Sequence, residues 1–486
     1  MAKRIDDLPM PSRPVPWLGH APEFRKDPLA MLRGFANLRQ DLLRIRLFGN
    51  DRVVVAGPAM AHEVLVRQAS AFHKTPVVRS ALHPLAGEGL FTSEGELWRT
   101  QRKLMAPLFQ PRALRGYTVD MARCADRCVD GWRDGDSLDL ARETMSIAMA
   151  VAGKTLFGAD VFGEADDLGR ALTTALSWVN ERALSPLNNL QVQARTFVMR
   201  LAHRASGAGL ASLSRRLHRT SEAMIPPLIL PGRDARSLRS AIDVLDERVD
   251  QMIADRRSAP HASPDLLSRL LEARDDTDGR TMTDKQVRDE ILTLFVAGHE
   301  TTASALAWSV YLLLRNPAAY RRAQAEADAV TGSSIGYDDL PSLGYCLRVF
   351  KEALRMYPPL YVFGRQSTTP VQLGGYEFPR GTVVVVSPYT MHYRADVWPE
   401  PDRFDPDRFL PDAEKQRPRG AYLPLSAGPR TCIGNFFALM EGPIVLASLL
   451  RRVTFELATD RPVAATALAT LRPEGGLPVR VKLRAA

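Results

Sequence analysis

Toward the end of the chain, Leu425-Ser426-Ala427-Gly428-Pro429-Arg430-Thr431-Cys432-Ile433-Gly434 sets one cysteine among small and cationic residues. A thiolate that ligates iron needs its charge stabilised and its backbone brought close to a flat macrocycle. Gly428 and Gly434 lack the side chains that would block such an approach. A helix opening just after Cys432 aims backbone N–H groups and a positive dipole end at the sulfur. Arg430 brings a guanidinium that suits carboxylates, such as the propionates of a haem. The same stretch also reads as a lone buried cysteine in a Gly-rich turn. Earlier, Ala297-Gly298-His299-Glu300-Thr301-Thr302 puts an acid and two alcohols inside an otherwise apolar helical run. Glu300 followed by Thr301 suits proton delivery to a reduced oxygen complex, with Gly298 and the hydroxyls loosening the helix ladder to admit water. A polar patch satisfied within the core is the competing reading.

Two further pairs share helix faces. Glu352 and Arg355 are spaced i, i+3, and Pro406-Asp407-Arg408-Phe409 adds Arg408 downstream; alone, such spacing describes a solvated ion pair. Trp98 and Arg102, at i, i+4, describe on their own a surface cation–aromatic pair. The elements that carry these residues follow from local signals. Thr283 and Gln286 form a capping box ahead of a long helix that runs to about Arg315, where Asn316-Pro317 stops it. About 32 residues at about 1.5 Å each span roughly 48 Å. Alternating segments near 43–47 and 52–56 flank Gly49-Asn50-Asp51 and predict a hairpin. Mostly helical patterns follow from about 58 to 341, then short strands near 372–373, 376–378 and 382–386. A helix is predicted over 435–452 and late strands near 453–458 and 479–483. The class is mainly α with a small β portion.

Taken in order, these stretches resemble the motifs of the cytochrome P-450 superfamily of haem-thiolate monooxygenases, in its soluble bacterial type. The cysteine loop is similar to Phe-x-x-Gly-x-Arg-x-Cys-x-Gly at Gly428, Arg430, Cys432 and Gly434. Leu425 stands where the family has Phe, a departure that bears on the tuning of the iron. Glu352, Arg355 and Arg408 resemble the family's Glu-x-x-Arg helix and Pro-Glu-Arg-Phe segment, with Asp407 in place of Glu. The stretch 297–302 resembles its oxygen-activation motif, and Trp98 with Arg102 its Trp-x-x-x-Arg. The ending Leu471-Arg472-Pro473 through Leu477-Pro478 is also family-like.

The resemblance implies a triangular-prism fold in which residues 1–486 form one haem domain. It implies heme b with Cys432 as axial thiolate, and a proton relay of Glu300 and Thr301. Trp98, Arg102, Arg365 and Arg430 would contact the haem propionates, while Glu352, Arg355 and Arg408 form a buried charge network that supports the loop. His392 sits in a familiar context in which packing is an equal reading. By analogy the substrate pocket takes in the loop 77–90, Phe295, Ala297, Leu360, Val362, Phe363, Ala469 and Thr470, mostly apolar positions. The implied reaction inserts one oxygen atom from O2 into a lipophilic molecule: a fatty acid, terpenoid, steroid or polyketide. Electrons come from NAD(P)H through a separate ferredoxin or flavodoxin with its reductase. A peroxide-driven peroxygenase and a non-catalytic haem-thiolate sensor are the alternatives.

Composition agrees with a large enzyme core: 486 residues, 45% hydrophobic, with 64 basic and 55 acidic residues for a net charge of +9. The cations are dispersed and accompany no nucleic-acid module, so the charge points to no one partner and no nucleic-acid partner is expected. Cys124, Cys128, Cys346 and Cys432 are too few and too irregular for a disulfide framework or a zinc site. Met1–Asp7 leads into Pro-rich sequence with no signal peptide or opening anchor, which predicts a cytoplasmic protein; a monomer is expected. The apolar run 291–314 has His299-Glu300 at its middle, so a buried helix fits it better than a membrane span. The polar stretch 275–283 is the nearest thing to an internal linker. Between 195 and 219, Arg195, Arg200, Arg204, Arg215, Arg216 and Arg219 alternate with apolar residues around Gly207 and Gly209. That segment reads as solvated amphipathic helices or as a basic lid.

Overall fold

The computed structural model describes residues 3–160, 163, 165–183, 185–207, 210–227, 229, 232–258, 265–273, 281–332 and 334–484. Two compact units emerge. The first comprises Met1–His73, Met105–Ala165 and Ala297–Ala486; the second comprises Lys74–Leu104 and Asp166–Val296. The long helix Asp284–Leu314 gives its residues 284–296 to the second unit and 297–314 to the first. Its start is the expected capping box: the Thr283 N–H donates to Gln286 Oε1 at 2.9 Å and the Gln286 N–H to Thr283 Oγ1 at 3.3 Å. It ends two residues before the Asn316-Pro317 stop, and Pro317 opens the next helix, Pro317–Asp328. Most of the linker candidate 275–283 lies outside the described residues.

In the first unit the largest sheet begins with the hairpin of strands Leu42–Leu47 and Asn50–Val55. Asn50 and Asp51 belong to the second strand, so the turn lies earlier than the sequence suggested. Phe48 and Gly49 make it, both with positive φ (49° and 76°), the backbone signature of a tight two-residue hairpin. Strand Asn50–Val55 runs parallel to Val383–Val386, which pairs antiparallel with Phe363–Ser367. Val53, Val55, Val384 and Val386 are fully buried, as period-2 alternation over a covered face requires. A second sheet joins Val453–Leu457 to Pro478–Leu483, and a small hairpin pairs Ala465–Ala467 with Leu471–Pro473. The helix after the cysteine spans Asn435–Arg452, as its pattern predicts. It packs on helix Gly344–Met356 at Gly442, where a Cβ would lie 2.6 Å from the Phe350 ring.

The second unit is helical. Helices Pro76–Ala86, Pro186–Gly207, Ala211–Ala223 and Arg233–Ser258 belong to it. A buried Arg256–Asp265 pair fastens helix Leu266–Glu272, whose N-cap Asp265 accepts the Ser268 N–H at 3.0 Å. In the basic segment, Arg195 donates to the Ser221 carbonyl at 3.1 Å. Arg204, Arg215, Arg216 and Arg219 are exposed, and so are Phe197, Leu210 and Leu213. Gly209 and the Arg200 side chain lie outside the described residues. Among the described residues no helix is long and apolar enough to cross a membrane.

Candidate functional site

The acid–alcohol residues of the first unit sit on the half of the long helix that begins at Ala297. Residues 302–313 of that helix are all buried, but Ala297, Gly298 and Thr301 form a half-buried stripe. A Cβ on Gly298 would meet nothing within 4 Å, so the helix has an open side there. The helix is continuous through the stripe. Thr301 Oγ1 donates to the Ala297 carbonyl at 2.7 Å, a back-bond that competes with the regular ladder. Glu300 points elsewhere and is only 3% exposed. Its Oε1 lies 3.5 Å from Arg472 Nη1, while Oε2 has no hydrogen-bond partner among the described residues. Thr302, one residue on, donates to the buried carboxyl of Glu441 on helix Asn435–Arg452. Burial pushes Glu441 up to about 8, against the pull of that hydroxyl, so it keeps its proton at neutral pH.

Three segments distant in sequence are tied together behind this stripe. Trp308 stacks on Tyr357 with ring centroids 3.8 Å apart and donates through Nε1 to the Leu471 carbonyl at 3.2 Å. The Leu471 N–H donates in turn to the Pro359 carbonyl at 2.9 Å, and the Tyr361 hydroxyl to the Leu468 carbonyl at 3.2 Å. Leu360, Val362 and Phe363 on one segment, and Ala469 on the other, are left half-buried. Thr470 is buried, and its hydroxyl has no partner among the described residues. Arg365 lies on strand Phe363–Ser367 with its guanidinium 4.8 Å from the Phe363 ring.

The cysteine loop is bonded to itself. The Cys432 N–H donates to the Leu425 carbonyl at 2.9 Å, and Thr431 donates to the Gly428 carbonyl through its N–H at 3.0 Å and its hydroxyl at 2.7 Å. Ser426 takes a left-handed φ of 62° to make the bend, a strained choice for a residue with a Cβ. Gly428, at φ 70°, is required by a protein contact: a Cβ there would lie 2.0 Å from the Leu65 carbonyl oxygen. Gly434 caps helix Asn435–Arg452, and a Cβ there would sit 3.9 Å from the Cys432 sulfur, ordinary contact distance. Arg430 closes the turn Gly428–Arg430, half-buried. Cys432 is exposed and the other cysteines are not. Burial pushes the Cys124 thiol up to about 12 and raises those of Cys128 and Cys346 as well, which keeps all three protonated.

Beneath the loop lies the charge network. Glu352 and Arg355 are both fully buried. Arg355 donates Nε and Nη2 to the two carboxylate oxygens at 2.7 and 2.8 Å, and Nη1 to the His392 carbonyl at 3.0 Å. The Asp405 N–H donates to Glu352 at 3.0 Å, and Arg408 Nε stands 3.5 Å from the same oxygen. The network is therefore buried rather than a solvated pair. Asp407 turns away from it and pairs with Arg322 at 2.9 Å and Arg348 at 3.4 Å. His392 is the connector that sequence reading left undecided. One ring nitrogen bonds the Arg355 carbonyl at 3.0 Å, and Nε2 accepts the Leu423 N–H at 3.0 Å. Burial, reinforced by the Arg355 charge, lowers it to about 3, so the ring is neutral.

Arg472 and Glu441 were missed as partners of the motif residues. A signal for Arg472 was available: in a strand, Leu471 and Pro473 face inward and Arg472 the other way, which is the observed burial. Trp98 and Arg102 share helix Gly95–Met105 in the second unit, where Phe295 is also found, buried.

Comparison with known proteins shows the family and the fold. The family model described as Cytochrome P450 matches residues 9–477. The chain is 32% identical to cyclooctat-9-en-7-ol 5-monooxygenase of Streptomyces melanosporofaciens, over 93% of this chain and 90% of that one. It is also 32% identical to pentalenene oxygenase of Streptomyces avermitilis, over 97% and 96%. A crystal structure of the cytochrome P450DA heme domain superposes with a TM-score of 0.82 over 98% of each chain at 24% identity, which shows a shared fold. The chain belongs to the cytochrome P450 family of monooxygenases.

Proposed function

We propose that residues 1–486 act as one haem domain in which Cys432 is the axial thiolate, and that its substrate is a terpenoid. The observation that carries the ligand reading is the contrast among the cysteines: one exposed thiol on a self-bonded loop, three held protonated by burial. The residues present fit a haem. Cys432 sits immediately before a helix N-terminus, whose N–H groups and dipole favour a thiolate. Arg430 and Arg365 are half-buried guanidinia suited to propionates. When bound, haem with a thiolate ligand supplies activation of O2 and cleavage of its O–O bond. The chain's own part is to hold substrate and to move protons. Thr301, on the open stripe, offers a hydroxyl already polarised by its bond to the Ala297 carbonyl. Glu300, buried behind it, takes up a proton through Oε2, which has no hydrogen-bond partner among the described residues, and passes it on, with Arg472 beside the other oxygen.

The terpenoid reading rests on the apolar positions Leu360, Val362, Phe363 and Ala469, together with the printed activities of the relatives on cyclooctat-9-en-7-ol and pentalenene. Electrons are proposed to arrive from a separate acidic ferredoxin or flavodoxin with its reductase, drawn by the net charge of +9. The test has two arms. The reduced CO complex of the purified protein should show the red-shifted Soret band of thiolate ligation. Cys432→Ala should lose it, while Cys124→Ala, Cys128→Ala and Cys346→Ala should each keep it. Pentalenene with NADPH and a surrogate ferredoxin and reductase should give a product carrying one added oxygen. Product from H2O2 alone would favour the peroxygenase, and no product from either source across a lipophilic panel would favour a sensor.

A further inference from the structure

In the second unit, the turn 87–93 joins helix Pro76–Ala86 to helix Gly95–Met105 and lies flush on the first part of the long helix. A Cβ on Gly87 would come within 2.2 Å of the Asp289 carboxyl, and one on Gly89 within 2.2 Å of Thr293 Oγ1. The turn forms no regular secondary structure; backbone carbonyls take the Gly87, Gly89, Thr92 and Ser93 N–H groups, and side chains satisfy others. The Glu88 N–H donates to Asp289 at 3.0 Å and the Leu90 N–H to Glu290 Oε2 at 2.9 Å. Lys74 Nζ donates to the Leu90 and Ser93 carbonyls at 2.9 and 3.0 Å, and Gln101 to the Glu88 carbonyl at 2.8 Å.

The two carboxylates differ in how their charge is met. Asp289 pairs with Lys285 at 2.8 Å and with Arg288 at 2.9 Å. Glu290 is fully buried; its Oε1 has no hydrogen-bond partner among the described residues, and neither has Thr293 Oγ1 one turn along. We propose that Glu290 is a positioning residue of the oxygenation reaction: its carboxylate holds the Leu90 backbone, and with it the substrate-facing turn, and slackens that hold when it takes a proton. The inference rests on the proposed oxygenase reading and, within it, on the family analogy by which the segment 77–90 faces the substrate.

The physical basis is a choice between two incomplete arrangements. Ionised, Glu290 accepts a charge-assisted bond from Leu90 while it bears the cost of a buried charge. Protonated, it loses much of that bond but offers an O–H toward the face it shares with Thr293 Oγ1, spaced i, i+3. Burial, and secondarily Asp289, raise the carboxyl to about 7 against the Leu90 N–H and Lys74, so both forms are populated near neutrality. Further out the charged and titratable groups are Lys285 and Arg288 on the same helix, Asp246 paired with Arg288, and Glu88, His83 and Arg79 on the facing segment.

The test uses the haem-loaded full chain. Hydrogen exchange at the Leu90 amide, corrected for intrinsic rate, is measured at pH values about one unit below and above 7. Protection in the wild type should rise about fivefold with pH, the difference between a neutral and a charge-assisted bond. Glu290→Gln keeps an acceptor and should abolish the dependence, while Glu290→Asp should restore it in part. In parallel, the Kd of pentalenene from its Soret shift should change with pH in the wild type and stay constant in Glu290→Gln, with little change in turnover at saturation. Flat protection in the wild type, or an unaltered pH dependence in Glu290→Gln, overturns the proposal; the wild-type series decides even if the variant fails to load haem. Protection that tracks pH while the pentalenene Kd does not would also overturn it. No pentalenene shift at either pH counts against the terpenoid reading instead, and exchange then decides the role of Glu290.

Discussion

Replacing Arg355 with Met should destabilise the first unit by about 3–5 kcal/mol, the cost of removing one partner from a buried ion pair. Both side chains are fully buried, so water cannot take over the lost contacts. Arg355 provides Glu352 with its two shortest bonds, at 2.7 and 2.8 Å. What remains is one backbone N–H from Asp405 at 3.0 Å and Arg408 at 3.5 Å. The carbonyl of His392 also loses its donor. Removing Arg408 leaves the bidentate pair intact and should cost less, about 1–2 kcal/mol. In the double variant Glu352→Met/Arg355→Met neither member of the bidentate pair is left charged without the other, so its cost should fall below the sum of the singles by about 2–3 kcal/mol. Urea unfolding followed by circular dichroism and by Soret absorbance reads both quantities. A cost under about 1 kcal/mol for Arg355→Met, or strict additivity in the double variant, would refute the view that this pair is coupled and desolvated.

Other outcomes follow from the same geometry. Thr301→Ala should bind haem and substrate normally yet divert reducing equivalents to H2O2; unchanged coupling would remove Thr301 from the relay. Glu300→Gln should slow turnover by about 10²–10⁴-fold at unchanged substrate affinity, a split that steady-state kinetics reads directly. His392 is lowered to about 3 in the fold, so the unfolded chain binds a proton there that the folded chain refuses. Stability should therefore rise with pH from about 3 to the ordinary histidine value, by at most about 1.4 kcal/mol per unit from this group, and His392→Asn should flatten that window. Glu441 is raised to about 8, which gives the opposite sign: its stabilisation is complete below the usual value of 4.5 and is lost as pH rises through 8. Glu441→Gln should make the protein less sensitive to alkaline pH, and an unaltered profile would show that the carboxyl is ionised in the fold.

Local patterns carried the sequence reading furthest. The capping box at Thr283 and the helix that follows Cys432 depend on contacts within a few residues, and both appear as the spacing predicts. The hairpin turn went wrong by two residues because Asn50-Asp51 is stronger turn chemistry than Phe48-Gly49. Register won: Leu47 opposite Asn50 keeps Leu43, Val53 and Val55 on buried faces. Partnerships across the chain were hardest to read. A solvated and a buried Glu352–Arg355 pair have identical spacing, and only the packing of Asp405, Arg403 and His392 around them distinguishes the two. Arg472 lay in plain view in a short strand, but its target Glu300 sits on a helix that sequence alone does not bring beside it.

The C-terminal hairpin Ala465–Ala467/Leu471–Pro473 links the proposed pocket positions to the proposed relay acid. Its backbone is fixed from outside, by Trp308 on the Leu471 carbonyl, by the Pro359 carbonyl on the Leu471 N–H, and by Tyr361 on the Leu468 carbonyl. None of these bonds uses the side chains of Ala469 or Thr470. Substituting half-buried Ala469 or buried Thr470 changes the side chains at these positions and leaves the strand where it is. Arg472 leaves that same strand to reach Glu300, so the backbone of the proposed substrate surface also carries the partner of the proposed relay acid. A substitution that displaces the strand, such as Trp308→Phe with the loss of its N–H, should therefore disturb substrate binding and coupling together. Changes at Ala469 should alter binding alone.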